Sequence, residues 1–207
     1  MKTKLVRLLG LVAVTAAWAC GGATDLSAPI SVPETPKFSC LSNATTMRLP
    51  ENLRATLPSF GFRSPDDAFV AISNSVPGGF GGVFVEGSQL VLTFVDPATA
   101  NQSRAQITQE FANRGFSGPG WDFAHAEIRG ARWTFAELDE WYRYIVPKVG
   151  SPQSGISSTD IDEKANTISI GVIDEASRAR LESKLASLNV SCNLVTTRIQ
   201  QYATYAM

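Results

Sequence analysis

Two stretches of this chain, 78 positions apart, carry the same alternation, and that repeat limits the fold more than any other feature. Leu90, Leu92, Phe94 and Asp96 fall on Ile168, Ile170, Val172 and Asp174. Apolar residues at every second position describe a strand with one buried face, and the Asp that follows suits the start of a helix.

The surroundings of the two phrases follow one order. Ser64-Pro65-Asp66-Asp67 combines a hydroxyl cap, a proline where no amide bond is lost, and carboxylates against the positive helix end. It predicts a helix to about Asn74, stopped by Val76-Pro77-Gly78-Gly79. Residues 83–86 and 89–95 flank Gly87-Ser88 as a tight hairpin. Asp96-Pro97 opens a second helix to about Asn113, closed by Gly115, and residues 123–129 read as a third strand.

In the second half, Thr134-Phe135-Ala136-Glu137 is a capping box, with Trp133 placed to staple onto Leu138. Leu138, Trp141, Tyr142 and Ile145 keep helical spacing as far as Val146-Pro147. Residues 156–162 and 167–173 form a second hairpin about 163–166, in which Ser169 and Gly171 leave one face thin or wet. Asp174 caps a helix over 175–188, where Leu181, Leu185 and Leu188 face the sheet and Arg178 and Glu182 stand at i, i+4. A last strand covers about 193–200. The expected fold is α+β, built as two similar lobes, 63–131 and 132–207. Each is a small antiparallel sheet with helices on one face, in the order helix-strand-strand-helix-strand. Lobes this small are weak alone and should pack together, with Trp133 and Trp141 near the seam.

The beginning of the chain has another character. Lys2, Lys4 and Arg7 precede an uncharged run over 8–19, too short to cross a bilayer as a helix, which marks 1–19 as a signal peptide. Ala17-Trp18-Ala19 then meets Cys20. A cysteine at that point resembles the bacterial lipobox, which implies lipidation of Cys20 and a membrane anchor of several acyl chains. Ala17 and Trp18 depart from the usual lipobox residues, so ordinary secretion after Ala19 is the alternative. The chain has 3 Cys, and lipid on Cys20 leaves Cys40 and Cys192 as a pair in an oxidising compartment. Such a cross-link contributes ~2–4 kcal/mol where its geometry is unstrained. Pro29, Pro33 and Pro36 make 20–39 a tether, and 40–62, broken by Pro50 and Pro58, reads as an irregular arm laid over the domain. Without Lys2, Lys4 and Arg7 the chain keeps 15 Lys and Arg against 19 Asp and Glu, a net charge near −4. That balance argues against nucleic acid as a partner.

The residues that could carry chemistry do not assemble into a known pattern. His125, the single histidine, stands between Ala124 and Ala126 in a candidate strand, with no G-x-S-x-G elbow in the chain. It reads as a structural histidine. Asp160, Asp162 and Glu163 cluster at a hairpin but lack the twelve-residue calcium frame, so a solvated turn is expected. Asp139 and Glu140 are helix neighbours that point apart and read as surface. Gly78-Gly79-Phe80-Gly81-Gly82 precedes a strand, whereas a phosphate loop follows one, so it reads as a flexible lead-in exposing Phe80. The triplets at Asn43, Asn101 and Asn189 matter only in a eukaryotic secretory route. No catalytic residue, metal ligand or cofactor is expected.

The phrase Ile161-Asp162-Glu163-Lys164-Ala165-Asn166-Thr167-Ile168-Ser169-Ile170-Gly171-Val172, followed by an acidic helix start, resembles the pro-regions of secreted bacterial serine proteases of the alpha-lytic protease and streptogrisin type. The likeness covers about 134–200 and, more faintly, 82–129. It implies a binding module that folds and inhibits a protease and places its C-terminal tail in the active-site cleft. No GDSGG-type loop is present and the chain ends at Met207, so the implied partner is a separate secreted serine protease or another envelope protein. By that analogy the tail from Gln200, with Tyr202, Tyr205, Ala206 and Met207, is the expected contact.

Overall fold

The computed structural model describes residues 48–57, 65–116, 118, 120–151 and 153–200, all within one compact unit. Cys20, Cys40, and the tail with Tyr202, Tyr205, Ala206 and Met207 lie outside the described residues. In chain order the elements are α1 (Glu51–Arg54), α2 (Pro65–Ser75), β1 (Phe80–Glu86), β2 (Gln89–Phe94), α3 (Ala100–Asn113), β3 (Glu127–Gly130), α4 (Phe135–Val149), β4 (Ile156–Asp162), β5 (Thr167–Val172), α5 (Glu175–Ser187) and β6 (Val195–Ile199). The described residues form an α+β fold with two three-stranded sheets, β1-β2-β3 and β4-β5-β6.

Both sheets are mixed, which corrects the expected antiparallel sheets. The two hairpins are antiparallel, but β3 runs parallel to β2 and β6 parallel to β5. The cause is the helix between each pair. The 14 residues of α3 carry the chain ~21 Å back along the sheet, so the next strand starts from the same end as the last.

Helix starts follow the local chemistry. Glu137 N–H donates to Thr134 Oγ1 at 3.2 Å while Thr134 N–H donates to Glu137 Oε2 at 2.9 Å, the reciprocal capping box. Asp174 accepts from Ser177 N–H at 2.7 Å, whereas Asp96, expected to open the second helix, accepts from Ala98 N–H at 3.1 Å and caps a 3-10 turn, Pro97–Thr99, that runs into α3. Other boundaries moved. α4 runs through Pro147 to Val149, because a proline in the last turn removes one ladder bond while the buried Val149 side chain rewards the extra residues. In α5, Arg178 pairs with Glu175 at 3.3 Å, and Glu182 is buried and accepts from Thr197 Oγ1.

The glycine-rich stretch is the largest local correction. Phe80 is fully buried and opens β1, paired with Phe94, and its ring meets those of Phe69 and Phe94 edge-on at 6.0 Å. Burying it contributes ~1.5–3 kcal/mol, which a flexible lead-in would forfeit. Gly81 is needed because a Cβ there would stand 2.6 Å from the Ala131 Cβ.

One continuous apolar core joins both sheets and the helices. Phe69 of α2 meets Phe135 of α4 at 5.0 Å, edge to face, and Ala136 N–H donates to Ser73 Oγ at 3.1 Å. The arm is tied down where it is described: Leu49 is buried, and Arg54 Nε lies 3.3 Å from Glu140 Oε1. Asp139 pairs with Arg143 at 2.9 Å. Asp139 and Glu140 are therefore partly buried ion-pair members rather than free surface groups. On the outer side of the first sheet, Arg129 stacks over Phe84 and binds Glu86 and Glu127, each at 2.7 Å. Val91, on that same face, is fully buried.

Candidate functional site

His125 does not sit in a strand. β3 begins two residues later, at Glu127, and residues 123–125 form a turn with the imidazole 85% exposed. The turn is nonetheless well held. Arg104 of α3 donates to the carbonyls of Phe123 and Ala126, and Gln89 Nε2 donates to the His125 carbonyl at 3.0 Å. Beneath it, Phe123 packs on Phe111 at 4.6 Å with Trp121 and Phe116 around them. Asp122 Oδ2 lies 2.8 Å from His125 Nδ1, and this bond lowers the Asp122 carboxyl below its usual range. Asp122 and His125 line an open cleft of about 330 Å³ with Val85, Ser88, Gln89, Leu90 and Gly120. An Asp-oriented imidazole is one component of a hydrolytic site, but a pair this exposed works in water rather than in a dry pocket.

The second constellation joins the two hairpins, and sequence reading missed it. The first hairpin turns on Gly87 and Ser88 between paired Glu86 and Gln89; the second turns on Glu163 to Asn166 between paired Asp162 and Thr167. The second turn is longer by two residues, and its side chains reach the first sheet. Asn166 Oδ1 accepts from the N–H groups of Arg132 and Trp133 at 2.8 and 2.7 Å, and its Nδ2 donates to the carbonyls of Trp133 and Gly81 at 3.0 and 3.4 Å. Lys164 pairs with Glu86, and the aliphatic part of Glu163 lies against Gly82. The expected solvated turn is thus a partly buried joint. Burial, with Asp160, Asp66 and Asp162 around it, pushes the Glu163 carboxyl up to about 7. Lys164 and Arg129 hold Glu86 down at about 2. The sequence held one signal of this joint: the second turn is too long for the two-residue loop used by its counterpart.

Trp133, held by Asn166 at this joint, also donates its indole N–H to the Asn193 carbonyl at 3.4 Å. Trp141 is buried on α4 against Tyr144, with ring centroids 5.7 Å apart. Cys192 lies in the turn ahead of β6, and Cys40, its expected partner, lies outside the described residues. Gln200 is held by its N–H on the Val172 carbonyl at 2.7 Å and its Oε1 on Ser158 Oγ at 3.0 Å, so the tail departs from a fixed point at the sheet edge. Among the described residues no group of three or more His, Cys, Asp or Glu could hold a metal ion, and no helix is long and apolar enough to cross a membrane. Compared with known protein families and with curated proteins, the chain matches none.

Proposed function

We propose that this chain is an exported bacterial envelope lipoprotein, anchored through Cys20, whose two units form a non-catalytic protein-binding module of the protease pro-region type. It acts in trans on a secreted serine protease as inhibitor or folding aid. The observation that carries this reading is strand β6, which among the described residues pairs with β5 alone and leads through the fixed Gln200 into the sequence of the tail, Tyr202, Tyr205, Ala206 and Met207. A strand edge of this kind suits strand addition to a partner.

The two units derive from a duplication. In support, both hairpins carry a register irregularity at matching places, between Phe80 and Gly82 and between Ile156 and Ser158, and both continue through a helix into a parallel strand. Cys192 pairs with Cys40, which ties the arm to the turn before β6 and leaves Cys20 free for lipid.

The test is inhibition of a panel of secreted chymotrypsin-like proteases by the mature chain, with and without residues 201–207. Inhibition that vanishes on truncation is the expected result; no inhibition of any protease removes the reading. A second reading, hydrolysis at the Asp122–His125 cleft with Ser88, rests on the 2.8 Å pair alone. Ester hydrolysis by the purified chain that survives His125→Ala would eliminate it.

A further inference from the structure

We propose that the four-residue turn of the second hairpin is a pH-sensitive latch between the two sheets, closed when Glu163 is protonated and loosened when it is ionised. The latch is a juxtaposition of one turn with one strand. A Cβ on Gly82 would stand 2.8 Å from Glu163 Cγ and 3.0 Å from its Cβ, and Gly82 adopts φ +134, so only glycine admits Glu163 at this place. On either side, Lys164 engages Glu86 and Asn166 engages Gly81 and Trp133. Opening at Glu163 therefore strains two further attachments of the same short turn.

The charged groups around Glu163 are mostly of its own sign. Asp160 and Asp162 face it from its hairpin and Asp66 from the start of α2. Asp67 adds to the field on Asp66, and both act in turn on Asp139 of α4. The cations are committed elsewhere: Lys164 to Glu86, Arg129 to Glu86 and Glu127, Arg143 to Asp139, and Arg54 to Glu51 and Glu140. Arg132, whose amide binds Asn166, is an exposed residue. Ionising Glu163 in place adds a partly desolvated negative charge to this set, and the direct relief is movement of the carboxylate into water, which pulls on the Cβ and Cγ packed at Gly82. Burial pushes the acid group up to about 7, opposed by a backbone hydrogen bond at Glu163 itself and reinforced by Asp160, Asp66 and Asp162, so the change falls near neutrality. Burial also raises Asp66 and Asp139, which adds to the effect with the same sign. The latch operates whatever the chain binds.

The experiment follows amide hydrogen exchange of residues 79–83 and 163–167 in the whole chain at pH 5 and pH 8, corrected for intrinsic rates, beside a carboxyl NMR titration of Glu163. Protection in both segments is expected to fall by about tenfold or more at the higher pH, and Glu163→Gln, an isosteric neutral replacement, should hold it at the pH 5 level. Asp160→Asn should move the Glu163 midpoint down. Equal protection at both pH values, an equal fall in Glu163→Gln, or a Glu163 midpoint in the ordinary carboxylate range would each overturn the latch.

Discussion

Asn166 holds the N–H groups of Arg132 and Trp133 on its Oδ1 and the carbonyls of Trp133 and Gly81 on its Nδ2, and it does so from a left-handed backbone at φ +52. Asparagine tolerates that conformation where most residues resist it. Asn166→Ala would leave the N–H groups of Arg132 and Trp133 without their acceptor and add backbone strain. We expect a loss of ~2–4 kcal/mol in urea unfolding, with the far-UV spectrum of the folded state unchanged. Gly82→Ala tests the other side of the joint. The new methyl group meets Glu163 at a φ that suits only glycine, so ~1–3 kcal/mol should be lost, and shortening Glu163 to Ala in the same chain should recover part of it. Neither requirement could be read locally. In the sequence Asn166 resembles any turn asparagine, and the glycines at 81 and 82 resemble a loose linker until Ala131 and Glu163 are seen to occupy the space their side chains would need.

The hairpins and helices show a different balance. Their starts were legible because a cap, a capping box or a turn glycine acts within a few residues of itself. Thr134→Ala should cost about 1 kcal/mol by removing the acceptor for Glu137 N–H, measured by thermal unfolding. The direction of β3 and β6 was misread because periodicity marks a strand without saying which way it runs in a sheet. The long second turn offers a sharper test at this scale. Replacing residues 163–166 by Gly-Ser should leave the β4–β5 pairing intact, since the first hairpin closes on two residues, but remove every side chain that reaches β1. Unfolding should then broaden into two steps, followed by fluorescence of the core Trp residues and by circular dichroism; a single unchanged transition would show that the shared core alone couples the sheets.

Across the whole molecule, two opposite carboxylate shifts shape the pH profile. Glu86, held at about 2 by Lys164 and Arg129 against an ordinary 4.5, contributes stability that is present above 4.5 and lost as pH falls towards 2. Glu163, raised to about 7 from 4.5, does the reverse: its contribution is intact below 4.5 and lost as pH rises to about 7. Stability should therefore be greatest near pH ~4.5, with ~1–3 kcal/mol lost by pH 8 after allowance for the solvent that reaches Glu163. That corresponds to a melting temperature lower by ~3–8 °C, which Glu163→Gln should largely abolish in scanning calorimetry. The sequence by itself determined the α+β class, the two hairpins, the caps at Thr134 and Asp174 and the alternation that buries Ile168, Ile170 and Val172, because each rests on interactions within one turn or one strand. Only the tertiary structure decided the mixed sheets, the burial of Phe80, the turn that carries His125 and the joint of Glu163 and Asn166 with Gly81, Gly82 and Trp133. Those depend on groups brought together from distant positions, where packing and desolvation rather than local propensity select the outcome.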